Sequence, residues 1–253
     1  MRFVLLIIFI ISNAIVTFAH SPYIKKGEPG ENEKWGMIWH DEFSRHTNFD
    51  SAWLSENKAP SHILSSRWRE NVNIKRGKLE LLIKKEQKKG KDWTSGSITC
   101  KQKFKYGYYE CRMKIAAAAA TNNSFWLYQW NKTNELPAFE IDVVEGHYPN
   151  DMNSNIHNRG VIGSKKIETV SNHCYLAKNL WKKYHTYGLW WTEDWLVFYL
   201  DGRAIWQTKN DCCFQEANLV IGNAVITWAG EITDSINGTA MSVDYVRVWK
   251  KNE

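Results

Sequence analysis

The sequence predicts an all-β fold, a β-jelly-roll sandwich of two antiparallel sheets with one concave face, and three observations predict it. From residue 35 onward there is little helical periodicity. Short runs rich in β-branched and aromatic residues recur instead, with turn signals between them. No linker, repeat or shift in composition divides these runs, so many short strands share one core, and two packed sheets build it.

The strand candidates, in order, are Lys78 to Lys84, Gly107 to Ile115, Phe139 to Val144, Thr186 to Thr192, Trp195 to Leu200, Leu219 to Ile226 and Met241 to Trp249. Residues 197 to 206 read VFYLDGRAIW, which sets Asp201-Gly202 between two strand-like halves. Gly adopts positive φ at no steric cost, so this dipeptide predicts a hairpin. The Lys-rich stretch Lys84 to Lys91, which contains Gly90, reads as a solvated turn. The run Ala116 to Ala120 lies between two strands and fits either a helical turn or a connecting loop.

Ahead of the domain, Arg2 precedes an apolar run from Phe3 to Ile11, and Thr17-Phe18-Ala19 places small residues three and one before a cleavage point. This pattern predicts a signal peptide over residues 1–19 and a secreted protein, extracellular or periplasmic. The run is interrupted at Ser12 and Asn13 and falls short of the roughly 20 apolar residues that span a bilayer, so stable membrane insertion is not expected. Residues 20–34, rich in Gly, Pro and charge, are expected to form a tether or a strap across one sheet. Residues 35–253 form the single domain, expected to be a monomer.

The formal net charge of +6 is mild, and no nucleic-acid-binding motif is present, so nucleic acid is not an expected partner. All five cysteines lie beyond residue 99, where an oxidising compartment could pair four of them. Cys100 and Cys111 flank a turn at Lys105 to Gly107, where facing strands would bring them together; buried free thiols are the alternative.

The segment Glu140-Ile141-Asp142-Val143-Val144-Glu145 carries the chemistry. Alternate side chains of a strand share a face, so Glu140 and Asp142 point one way while Ile141 and Val143 point into the opposite layer. Glu145 then falls on the wrong side, unless one β-bulge at Val143-Val144 reverses the phase. With the bulge, three acids line one face, and like charges so close raise the pKa of at least one of them. A retaining glycosidase uses such a set, with two carboxyl groups roughly 5–5.5 Å apart, one ionised to attack the anomeric carbon and one protonated to protonate the leaving oxygen. Asp142 between them can share a proton with Glu140 and help keep Glu145 protonated. The apolar residues among the acids argue against a solvated acidic strand, and calcium loops prefer Gly and Asn at such spacing.

This segment resembles the Glu-x-Asp-x-x-Glu motif of glycoside hydrolase family 16 in its bulged form. The resemblance extends through HDEF (His40 to Phe43), NVNIKRGKLEL (Asn71 to Leu81), SGSI (Ser95 to Ile98), YGYYECRMKI (Tyr106 to Ile115), SFWLY (Ser124 to Tyr128), HTYGLWWTEDWLVFYLDG (His185 to Gly202) and VDYVRVW (Val243 to Trp249). It implies a jelly roll, an open cleft and endo-hydrolysis of a polysaccharide with retention. By motif position it implies Glu140 as nucleophile, Asp142 as assisting acid and Glu145 as general acid/base. EIDVVE and HTYG are similar to members that cleave galactans such as agar, porphyran or carrageenan. The small Gly-Gly signature of the β-1,3-glucanase branch is replaced by Ile221-Gly222-Asn223-Ala224, so a galactan stands slightly ahead of a β-1,3- or β-1,3-1,4-glucan. A non-catalytic carbohydrate-binding module on the same fold is expected to lose a catalytic Glu, and this chain keeps all three acids. A transglycosylase is the remaining reading.

Sugar rings stack their C–H faces on Trp while their hydroxyls need fixed polar partners. Trp126, just before the acidic strand, is the first candidate platform, and Trp68 the second. Arg67 and Arg69 bracket Trp68 and could read a sulfate or carboxylate. His157 and Asn155, in NSNIH after the acidic strand, are candidate substrate contacts, and Trp228 could border the cleft from a loop. Trp191 and Trp249 are core candidates, and His185 reads as structural. No His cluster suggests a catalytic metal and no cofactor is required. The resemblance allows a structural calcium on the convex side, through Asp244 and a main-chain carbonyl near Gly77.

Overall fold

The computed structural model describes residues 21–44, 49–163 and 169–252; the expected signal peptide lies outside them. The first strands are β1 (Trp35–Asp41), β2 (Trp53–Ser55), β3 (Ser65–Arg67), β4 (Val72–Lys75), β5 (Lys78–Leu82) and β6 (Lys84–Lys88). There follow β7 (Lys91–Ser95), β8 (Ser97–Phe104), β9 (Gly107–Lys114), β10 (Thr121–Gln129), β11 (Phe139–His147) and β12 (Asp151–Asn158). The last are β13 (Thr169–Leu176), β14 (His185–Trp191), β15 (Trp195–Leu200), β16 (Arg203–Lys209), β17 (Ala217–Val225) and β18 (Ala240–Lys251).

These strands form the expected pair of large antiparallel sheets. One has eight strands in the order β16-β15-β14-β9-β18-β5-β4, with β1 added against β18; the other has seven, β13-β12-β11-β10-β17-β8-β2. A small third sheet, β3-β7-β6, flanks them, and within it β3 and β7 run parallel. Strand alternation decides what the large sheets bury between them. Phe125 and Leu127 of β10 and Phe139 and Ile141 of β11 meet Tyr109, Cys111 and Met113 of β9, Leu189 and Trp191 of β14, and Val246 and Val248 of β18 in one buried cluster. Burying each large side chain contributes roughly 1.5–3 kcal/mol. Deleting one, as in Phe125→Ala, is expected to cost about 3–5 kcal/mol because a cavity remains.

A second apolar layer forms on the opposite face of the eight-stranded sheet. Residues 21–34 cross it as a strap. The Tyr23 N–H donates to Glu110 Oε2 at 2.9 Å, the Lys25 N–H to the Gly202 carbonyl at 2.8 Å, and the Tyr199 hydroxyl to the Pro29 carbonyl at 2.6 Å. Underneath lie Tyr108, Val197, Tyr199 and Trp249, packed with Ile24, Trp35 and Trp190. Trp249 is therefore buried by the strap, whereas Trp191 is buried between the sheets. The hairpin at Asp201-Gly202 joins β15 to β16 with both residues at positive φ, 49° and 74°. A Cβ on Gly202 would lie 2.8 Å from the Tyr23 carbonyl oxygen, so the turn and the passage of the strap both need glycine there.

One sequence expectation changes and two open readings are decided. The stretch Lys84 to Lys91 is strand β6 and the turn that leads into β7, rather than a solvated turn throughout; alternate side chains of β6 stay in solvent, so its charge hid a strand. Cys100 and Cys111 are not bridged; the chain changes sheets between β8 and β9 and puts them on strands of different layers rather than on paired strands. No disulfide links any of the five cysteines among the described residues, and Cys174 alone is exposed. The Ala116 to Ala120 run is a loop carrying the chain from β9 back to β10, with Ala120 at φ 56°.

Candidate active site

Three strands of the seven-stranded sheet build the site, and a bulge sets its phase. On β11, Asp142 pairs with Asn155 of β12 and Glu145 with Asn153, so two residues, Val143 and Val144, oppose the single Ser154. The same irregularity appears against β10, where Trp126 pairs with Asp142 and Phe125 with Val144. Val143 and Val144 are both buried, while Glu140, Asp142 and Glu145 all reach one cleft of about 780 Å³. An unbulged strand would have turned Glu145 into the core.

The neighbouring strands present matching rows. From β10, Asn122, Ser124, Trp126 and Tyr128 face the cleft at every second position, and Trp130 continues the row. The Trp126 and Tyr128 rings lie 5.2 Å apart, and Tyr128 and Trp130 stack at 4.8 Å, forming an aromatic floor beside the acids. From β12, Asn155 and His157 reach the acids, and Arg159 extends that row. Asn155 Nδ2 donates to both Asp142 Oδ2 at 3.2 Å and Glu145 Oε2 at 2.8 Å. His157 Nε2 lies 3.2 Å from Asp142 Oδ2 and 3.9 Å from Glu140 Oε1. Arg159 Nη2 donates to Glu140 Oε2 at 2.8 Å, and Asn122 Nδ2 donates to Glu145 Oε1.

This network differentiates the three acids. Glu140 carries a guanidinium partner. Burial pushes the Asp142 carboxyl up to about 6 against the hydrogen bond from His157, and the Glu140 charge adds to the rise. Burial raises Glu145 as well, followed by the charge on Asp142, while the Asn122 amide opposes the rise. The hydrogen bond to Asp142 holds the His157 ring above its ordinary value. The result is one carboxylate next to a fixed cation and one carboxyl group biased toward its protonated form.

The structure brings Trp126, Asn155, His157, Arg67 and Trp228 to the cleft, and it does not bring Trp68 or Arg69 there. Arg67 ends β3 and binds Glu56 Oε2 at 2.9 Å. Trp68, one position on, takes the opposite direction: its Nε1 donates to Ser66 Oγ and Lys88 covers its ring at 4.1 Å. Arg69 enters a 3-10 turn, which breaks the alternation with Arg67, and pairs with Asp50 at 3.2 Å. Sequence reasoning missed Arg159, Asn122, Tyr128 and Trp130. The alternations Trp126-x-Tyr128-x-Trp130 and Asn155-x-His157-x-Arg159 were the signal for three of them. His185 binds Asp201 Oδ2 at 2.7 Å, within the eight-stranded sheet and its hairpin.

Two places gather metal-ligating side chains. At Asp244, one carboxylate oxygen is engaged by the Lys78 ammonium and the other by the Arg112 guanidinium, so the donor set holds two cationic side chains and does not fit calcium. At the acids, ligand atoms of Glu140, Asp142 and His157 lie within 4.8 Å of one another. There the Arg159 and Asn155 donors already address the carboxylates, which describes a hydrogen-bonded acid/base set.

A jelly-roll sandwich carrying three differentiated acids on one strand of an open aromatic cleft is the arrangement of a glycoside hydrolase. The chain belongs to glycoside hydrolase family 16, the model described as "Beta-porphyranase A-D, GH16 domain" matching residues 38–251. Beta-porphyranase B of Zobellia galactanivorans is 28% identical over 222 residues, covering 74% of this chain and 74% of that protein. A beta-glucanase of Acetivibrio thermocellus is 30% identical over 168 residues, covering 65% of this chain and 48% of that protein. The crystal structure of porphyranase B from Z. galactanivorans superposes with a TM-score of 0.79 at 21% identity, covering 92% of this chain and 100% of that one, which establishes the shared fold.

Proposed function

We propose that this glycoside hydrolase is a secreted, endo-acting enzyme that cleaves internal β-linkages of a galactan with retention of configuration, working as a monomer and without nucleic-acid partners. The observation that carries the reading is the bulge, which places Glu140, Asp142 and Glu145 on one face with a cation beside the first and burial around the last. Glu140 attacks the anomeric carbon as its carboxylate while Glu145 delivers a proton to the leaving oxygen; the glycosidic C–O bond breaks and a glycosyl ester forms. Glu145, now ionised, takes a proton from water, which attacks the same carbon and releases Glu140. Asp142, linked to His157 and Asn155, acts between them by holding charge and proton in place. Trp126 offers the platform nearest the acids.

The galactan preference is supported by the porphyranase-type family model, by the similarity to beta-porphyranase B and by Ile221-Gly222-Asn223-Ala224 in place of a Gly-Gly pair. Export is supported by the pattern over residues 1–19; among the described residues no helix is long and apolar enough to cross a membrane. The test is reducing-end release from agarose, porphyran, carrageenans, laminarin and lichenan by the wild type and Glu140→Gln. Release from a galactan that disappears in Glu140→Gln supports the proposal. Persisting release in the variant would sink the catalytic assignment, and release from laminarin or lichenan alone would replace galactan by a β-glucan.

A further inference from the structure

Each residue of β11 has a Cα partner on β10, on β12 or on both, except Val143. It is the extra residue of the bulge and lies between Asp142 and Glu145, so the backbone here sets how Glu145 stands relative to Glu140. A bulge interrupts the ladder, and the buried backbone groups it leaves over need partners from elsewhere. A side chain supplies one. Ser154 of β12 donates from its Oγ to the Val143 carbonyl at 2.8 Å.

Packing alone does not account for a serine at this position. Ser154 occupies the core-facing row of β12, between buried Met152 and Ile156, and is itself wholly buried. A hydroxyl there costs desolvation unless it is bonded, and the bond it makes is at the bulge. The strand is anchored on either side of that point. Asp142 is in register with both Trp126 and Asn155. Beyond Glu145, buried Asn123 of β10 donates from its Nδ2 to the Gly146 carbonyl at 3.0 Å. Glu145 rides on the short segment between these anchors, and the Ser154 hydroxyl addresses the extra residue of that segment.

We propose that Ser154 is a positioning residue for the proton donor: by holding the Val143 carbonyl it fixes the phase of the bulge and so the place of Glu145 relative to Glu140. This inference rests on the roles given above to those two acids. Glu140 precedes the bulge on a regular stretch, paired with Tyr128 and His157, so loosening the bulge should disturb the donor and spare the nucleophile. Proton delivery then suffers selectively.

Two substrates separate a displaced donor from a damaged fold: the panel polysaccharide that the wild type cleaves, and the dinitrophenyl glycoside of its shortest product, whose phenolate departs without a proton. The quantity to compare is kcat/KM, which covers the steps up to the glycosyl ester and leaves out its hydrolysis. Ser154→Ala adds no bulk to the buried position. It should lose about tenfold or more on the polysaccharide and stay within about twofold on the dinitrophenyl glycoside. Ser154→Thr keeps a hydroxyl that Ser154→Val, of similar size, lacks. The Thr variant should therefore retain about fivefold or more of the polysaccharide activity of the Val variant. Ser154→Ala decides alone if the larger side chains do not fit the core.

Equal losses on both substrates in Ser154→Ala, wild-type activity in that variant, or equal activity in folded Thr and Val variants would each overturn the inference. Absence of Glu140-dependent cleavage of any panel member would instead defeat the proposed function on which it stands.

Discussion

Arg159 holds its Nη2 atom 2.8 Å from Oε2 of Glu140, a contact made between residues 19 apart in the chain at the end of two paired strands. The guanidinium offsets the charge of one carboxylate in a group of three and orients the oxygen that is proposed to attack. A hydrogen bond between charged partners contributes about 1.5–3 kcal/mol. Arg159→Ala should therefore lower kcat by about 10- to 100-fold. Arg159→Lys keeps the charge without the fork and should recover part of the loss. Steady-state kinetics on the cleaved polysaccharide check this, and an Arg159→Ala variant with wild-type kcat would remove the contact from the mechanism.

The pH profile should report Glu145. Burial raises its carboxyl, so the loss of rate at high pH should begin at a higher pH than an exposed glutamate would give. With Asp142 raised to about 6 beside it, the limb belongs to the pair rather than to one residue. Glu145→Ala should abolish that limb and slow polysaccharide cleavage far more than cleavage of substrates with good leaving groups, which need no proton.

Asn122 provides a signed refinement. Its amide donates to Glu145 Oε1 and favours the charged form, so Asn122→Ala should raise the Glu145 carboxyl further and move the high-pH limb upward. A limb that stays in place or moves down would show that the amide does not act on this proton.

Stability should not depend on calcium. Asp244 is buried in part, yet the hydrogen bonds and charges of Lys78 and Arg112 hold its carboxyl below the ordinary range. Chelation with EDTA should leave Tm unchanged, and added calcium should not raise it. A rise in Tm with calcium that disappears in Asp244→Asn would reverse the reading of this site.

The strap should contribute measurably through single contacts. Tyr199→Phe removes the hydrogen bond to the Pro29 carbonyl, worth about 1 kcal/mol. For a domain of this size that corresponds to a fall in Tm of about 2–4 °C. Thermal unfolding followed by tryptophan fluorescence would detect it, since Trp249 and Trp190 lie beneath the strap.

Local sequence carried much of this protein. Alternation along Phe139 to Glu145 was enough to require a bulge, because apolar and acidic residues can be sorted onto two faces in only one way. Asp201-Gly202 marked its hairpin for a similarly local reason, the left-handed backbone the turn needs. The row of Trp126, Tyr128 and Trp130 was legible by the same alternation and went unread. Charged β6 was unreadable as a strand, since all five of its side chains are polar and stay at least partly in solvent, so no apolar alternation marks it.

The sequence by itself determined the all-β class, the three acids and the need to reverse phase among them, since each depends on neighbours a few residues apart. Only the tertiary structure decided which side chains answer those acids. Asn122, Asn155, His157 and Arg159 reach them through the registers of β10 and β12 against β11. It also decided that Arg67 faces the cleft while Trp68 and Arg69 do not, and that Trp249 is buried under the strap. The physical reason is that strand register and sheet assignment are set by packing between distant segments, so contacts across strands have no signature in either segment alone.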